Sequence, residues 1–224
     1  MAVITIRGKL GSGAPDIGKK VAEKLHIDYV DREIIAEVAT RCNLQESEVL
    51  AKEMPPARLQ ERIAEALARG YSIGDGIQGA YLPFWQIPTD DNRYLEALTS
   101  FIKDFAKGHQ AVIHGRGSQY ILKECPHALH ISVVAPLKTR VKRVMETMNL
   151  TGEKAKQEIN HFDSSAREFI KRFFAADMED PTSYDLVINS ERLGFEDAVS
   201  IICEAVIRKN ASLNKEGETA APVC

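Results

Sequence analysis

Gly8, Gly11, Ser12 and Gly13 stand between an apolar run, Val3 to Ile6, and an amphipathic stretch that ends at Leu25. A strand, a tight glycine turn and a helix in that order can cradle phosphates, because successive backbone N–H groups converge on an anion at the positive end of the helix dipole. In a complete loop of this kind, GxxxxGK[S/T], a lysine neutralises the terminal phosphates and a hydroxyl holds Mg²⁺. Counting from Gly8, Ala14 occupies the lysine position and Pro15 the hydroxyl position. The glycines can still supply the curvature, Ser12 adds a donor, and Pro15 suits the start of a helix, where its missing N–H is no loss.

A substitute cation is therefore needed. Lys9 lies inside the turn and can fold over bound phosphates, whereas Lys19 sits further along the helix, so Lys9 is the better candidate. Asp16 is the nearest oxygen-bearing side chain after Ala14. It can be read as a Mg²⁺ ligand, as an acid favouring the helix dipole, or as a charge that repels a triphosphate.

The elements that must hold this turn follow from hydrophobic pattern. Val3 to Ile6, Tyr29 to Val30, Ala111 to Ile113, Ala128 to Val134 and Leu186 to Ile188 read as strands, separated by stretches of helical spacing. Alternation of this sort predicts a parallel sheet covered on both faces, a three-layer α/β/α sandwich. Glu33 to Ala68 reads as mostly helical with a break at Met54-Pro55-Pro56, and Asp91 to Lys107 as a helix. Between them, Arg69 to Pro88 carries four glycines, two prolines and the single tryptophan and is a candidate lid, binding loop or interface; its Tyr81 to Trp85 aromatics read first as partly buried against the neighbouring helices, and otherwise as a base-stacking or interaction surface. The polar stretch from Asn210 to Cys224 is expected to be a disordered tail.

A chain of 224 residues, 44% hydrophobic and 27% charged, suits one α/β unit, and its net charge of -3 argues against general affinity for nucleic acid or an anionic membrane. Cys42, Cys125, Cys203 and Cys224 are scattered without metal-ligand spacing, which suggests reduced thiols. With no leader pattern and no run of about 18 apolar residues, a cytoplasmic location without a membrane span is expected.

Further segments raise the specificity of this picture: "AEKLHIDYVDREII" after the turn, "HGRGSQYIL" after the third strand, "APLKTR", "INHFDSSAREFIKRFFAADMEDP" and "YDLVINSERLGFEDAVSII". In that order, from about Val3 to Ile207, the chain resembles the cytidylate kinase-like family of P-loop nucleoside monophosphate kinases. The resemblance is weak from Leu44 to Ile87. It implies ATP and Mg²⁺ as cofactors, a nucleoside monophosphate as phosphate acceptor, a core of residues 1–30, 109–150 and 182–209, a monophosphate-binding insertion over 31–108 and a lid over 151–181. By family position, Arg116 contacts the monophosphate, Asp31 lies by the phosphate crevice, Asp163 contacts the nucleotide, and Lys171 and Arg172 face the phosphates from the lid. The lid pattern DxxR has Ala166 where its arginine belongs, leaving Arg167 one residue late, and Gly117 replaces the aspartate that follows Gly-Arg in the bacterial cytidylate kinases. From Lys138 to Arg172 there are nine Lys and Arg against five Asp and Glu, an excess that suits cations closing on a phosphoryl group.

Two functional classes follow. One is a phosphotransferase moving the γ-phosphoryl group of ATP to CMP or dCMP. The other, suggested by Ala14, Asp16 and Ala166 together, is a nucleotide- or anion-binding regulatory protein of the same fold without turnover.

Overall fold

β1 (Val3–Gly8) lies at the centre of a five-stranded sheet because both its faces are apolar enough to be covered; Val3, Ile4 and Ile6 are each at most 2% exposed. The computed structural model describes residues 3–31, 33–46, 49, 91–108 and 110–216. Along the chain, β1 is followed by α1 (Ala14–Leu25), β2 (Asp28–Val30), α2 (Glu33–Cys42), α3 (Asp91–Gly108), β3 (Ala111–His114) and the short α4 (Ser118–Ile121). Then come β4 (Ala128–Val134), α5 (Leu137–Met148), α6 (Gly152–Phe174), a 3₁₀ turn at Pro181–Ser183, β5 (Leu186–Asn189) and α7 (Phe195–Glu216). Each of the five apolar runs is a strand.

Every pairing is parallel and the spatial order is β2-β3-β1-β4-β5. Side chains alternate across the sheet. Ile4, Ile6, Val112, Leu129, Ile131 and Val133 pack with α1 and α7, while Val3, Val30, Ala111, Ile113 and Ala128 pack with α2, α3 and the C-terminal half of α6. This is the expected α/β/α sandwich. The chain leaves β1 toward β2 and leaves β4 toward β5, in opposite directions, so a crevice opens at the carboxyl ends of these adjacent strands.

Two expectations need correction. Helix α7 continues to Glu216, past the Asn210 at which a tail was expected, because Ala211, Leu213, Lys215 and Glu216 are good helix formers that prolong a helix already nucleated. Cys42 and Cys203 are buried free thiols, but Cys125 is disulfide-bonded, so a wholly reduced set does not hold there. The Arg69 to Pro88 loop, its aromatics and residues 217–224 lie outside the described residues. No helix among the described residues is long and apolar enough to cross a membrane.

Candidate functional site

The glycine turn joins β1 to α1 at the mouth of the crevice. Gly11 and Gly13 adopt φ of +79° and +85°, a conformation that costs a residue with a side chain more than it costs glycine. Gly13 has a second reason to be glycine: a Cβ there would lie 2.3 Å from the Phe195 ring. Gly13 caps α1 and brings no side chain to the first turn of the helix, where Pro15 has no N–H. Within the turn, Ser12 N donates to Lys9 O at 2.9 Å and Ala14 N to Ser12 Oγ at 3.4 Å. Among the described residues, the Gly11 and Gly13 N–H groups have no acceptor. Ala14, in the lysine position, is buried against Gly8.

The turn is held from outside by α5 and α6. Arg140 donates to Leu10 O at 3.2 Å and forms an ion pair with Asp163 at 2.7 Å, and Leu10 N donates to Asp163 Oδ1 at 3.2 Å. Both backbone groups of Leu10 are thus bound by one buried pair, while the Leu10 side chain packs between α5 and α6 with Val144, Ala155 and Ile159. Arg143, one turn further along α5, donates to the carbonyls of Gly11 and Ser12 and to Ser190 just past β5.

Lys9 forms an ion pair with Glu179 at 2.8 Å, across a cleft of about 50 Å³ lined by Arg7, Ser132, Met178 and Tyr184 among others. Lys19 lies with its Nζ 5.8 Å from the centre of the Tyr29 ring, on the flank of α1 rather than at the turn. Asp16 is exposed on the first turn of α1. No cluster of three or more His, Cys, Asp or Glu side chains that could hold a metal ion occurs among the described residues.

At the carboxyl ends of β2 and β3 a second charged group forms. Gly115, Arg116 and Gly117 all have positive φ, and Arg116 at +52° is a residue with a side chain in a region that glycine favours. This turn sends the Arg116 guanidinium back to Asp31, where it donates to the carbonyl and the carboxylate, each at 2.8 Å; His114 Nδ1 is 3.4 Å from the other carboxylate oxygen. Gly117 cannot carry the family's aspartate, since a Cβ there would lie 2.2 Å from the Phe174 ring. Partial burial by itself raises the Asp31 pKa, but hydrogen bonds and positive charge from His114 and Arg116 outweigh it and hold the carboxyl well below the usual carboxylate range.

A folded-state pKa below the unfolded one contributes stability that is complete above the unfolded value, about 4, and is lost as pH falls toward the folded one. Asp31→Asn is therefore expected to flatten the loss of stability below about pH 4, measured by urea unfolding across a pH series. An unchanged slope would show that the triad does not persist in solution.

Arg167 and Lys171 are exposed, with no ion pair or hydrogen bond from their side chains among the described residues. Arg172 forms an ion pair with Asp91 of α3. The lid range itself is mainly the 23-residue α6, packed on α5. What sequence reasoning missed are Arg140, Arg143, Ser190 and Phe195. The Arg-x-x-Arg spacing on α5 is the signal that points to the first two, since it puts both side chains near one helix face.

The model of the cytidylate kinase-like family matches residues 3–192. The chain belongs to the cytidylate kinase-like family. It is 27% identical over 207 residues to the cytidylate kinase of Staphylothermus marinus, covering 92% of this chain and 97% of that one. The cytidylate kinase of Methanopyrus kandleri is 25% identical over 209 residues, covering 91% and 92%. The crystal structure of an uncharacterized protein from Eubacterium ventriosum superposes with a TM-score of 0.65 at 19% identity, covering 92% of this chain and 98% of that one, a likeness of fold. The parallel sheet with helices on both faces is the core of this cytidylate kinase-like chain, and its glycine turn has Ala14 at the position counted for the lysine.

Proposed function

We propose that this family member transfers the γ-phosphoryl group of ATP to a nucleoside monophosphate, CMP or dCMP by family likeness. The observation that carries the reading is the pair of amides, Gly11 and Gly13, that have no acceptor among the described residues and lie at the amino end of α1 in a chain of this family. ATP with Mg²⁺, when bound, supplies the transferable phosphoryl group and much of the charge neutralisation it needs. The turn amides bind the donor phosphates, and Lys9 exchanges Glu179 for a phosphate oxygen and neutralises it. Arg116 holds the acceptor phosphate and is itself oriented by Asp31. Asp163, through Leu10, keeps the turn in register. Arg167, Lys171 and Arg172 lie along the C-terminal half of α6, on the stretch assigned to a closing lid. No general base is required, because an acceptor phosphate is already ionised at neutral pH.

The test is phosphate transfer from ATP and Mg²⁺ to a panel of monophosphates. CMP or dCMP turnover is expected, and Arg116→Ala is expected to raise the KM for the monophosphate about tenfold, the loss of one charge-assisted contact, with the KM for ATP unchanged. Acceptor dependence unaltered by Arg116→Ala would remove that residue from the site. The second reading, an ATP- or anion-binding protein without turnover, is favoured by the buried Ala14 in the lysine position. Tight ATP binding with no transfer to any acceptor would establish it.

A further inference from the structure

We infer that Arg143 is the positioning residue that keeps the phosphate loop open for a polyphosphate in the absence of a loop lysine. The inference rests on the glycine turn being a polyphosphate site, as proposed above. An anion-binding turn must present its N–H groups on one side, which forces its carbonyls to the other. In this chain the carbonyls of Gly11 and Ser12 are both met by one guanidinium. Arg143 Nη1 donates to Gly11 O at 3.3 Å, Ser12 O at 3.1 Å and Ser190 Oγ at 2.9 Å, and Nη2 donates to Ser190 O at 2.9 Å. The Ser190 hydroxyl in turn donates to Ser12 O, and Ser190 is only 3% exposed.

The guanidinium is also packed on a ring. It lies with Cζ 5.0 Å from the centre of the Phe195 ring, and that same ring closes on Gly13. The carbonyls of Gly11 and Ser12 are therefore tied to the end of β5 and the start of α7, two elements anchored in the main core. A ligand arriving at the amide side meets a turn that has no carbonyl to reorient, which lowers the ordering cost of binding. In a complete loop the lysine side chain shares in this task. Here the fastening comes from behind, through geometry that only a planar fork of donors can satisfy, so charge alone cannot replace it.

Lysine at position 143 separates the two roles, since it keeps the positive charge and loses the fork. Calorimetric titration of the full chain with inorganic tripolyphosphate, and with ATP, is expected to give about tenfold or weaker binding for Arg143→Lys than for the parent, about 1.4 kcal/mol. Ser190→Ala removes one fastening without changing charge and is expected to weaken both ligands about threefold, in the range of one neutral hydrogen bond. In turnover, Arg143→Lys should raise the KM for ATP and leave the KM for the monophosphate unchanged, a split that a general loss of stability would not produce.

Arg143→Lys binding tripolyphosphate as the parent does would overturn the inference, because charge would then suffice. A parallel rise of both KM values that tracks a fall in melting temperature would also overturn it. If the parent protein binds neither tripolyphosphate nor ATP, the functional reading itself fails, whereas parent binding with no response to either variant removes Arg143 alone.

Discussion

Asp163→Ala is expected to destabilise the protein by about 3–5 kcal/mol, the cost of removing one partner from a buried ion pair. The side chains of Arg140 and Asp163 are only 8% and 11% exposed, and Arg140 Nε is buried without a partner among the described residues, so the guanidinium depends on this carboxylate for compensation. For a domain of this size the change corresponds to a fall in melting temperature of about 6–20 °C. Urea unfolding gives the number directly. A loss under about 1 kcal/mol would mean that the pair is solvated and opens readily. The double variant Asp163→Leu with Arg140→Met should recover much of the loss, since apolar replacement of both partners leaves no stranded charge. The measurement also tests the role that family position gave Asp163. A residue whose task is contact with nucleotide would lose binding with little change in stability, whereas one that holds Leu10 by its amide loses both.

Lys9→Ala is expected to weaken ATP binding by about 10–100-fold, the range of a charge-assisted contact, while Lys19→Ala changes it less than about twofold. The difference follows from placement: Lys9 sits in the turn and faces a partly exposed carboxylate, Glu179, which a phosphate can replace, whereas Lys19 rests against the Tyr29 ring. Glu179→Gln carries the opposite sign. Removing the competing carboxylate should tighten ATP binding severalfold, and more at low ionic strength, where the competition between charges is least screened. The reverse ranking of Lys9 and Lys19, or no response to Glu179→Gln, would reject Lys9 as the substitute for the missing lysine.

Legibility in the sequence followed the range of the interactions. β1, β3, β4 and β5 were visible because buried parallel strands are short continuous apolar runs, and α3 because Tyr94, Leu98 and Ile102 repeat at helical spacing. The glycine turn was visible because its conformation restricts residue type directly. The end of α7 was misread, since a polar stretch with good helix formers says little about whether a helix already under way will continue. Arg116 was legible at the crevice from its place just past a strand's carboxyl end and Asp31 by likeness, but their bond to each other, across 85 residues of chain, came from the left-handed turn at Arg116.

The sequence by itself determined that a glycine turn leads into α1, that strands and helices alternate, and that the lysine and hydroxyl of a complete phosphate-binding pattern are absent from this turn. Tertiary structure alone decided which of the many cations serve the turn. Arg140 and Arg143 reach it from more than 120 residues away because the β1–β4 pairing carries the start of α5 up beside Gly8, while Arg167 and Lys171, on the helix with the expected motif, are turned to solvent. Residue type is written locally, but the partner of a charged side chain is set by how sheet order and helix packing place distant segments side by side.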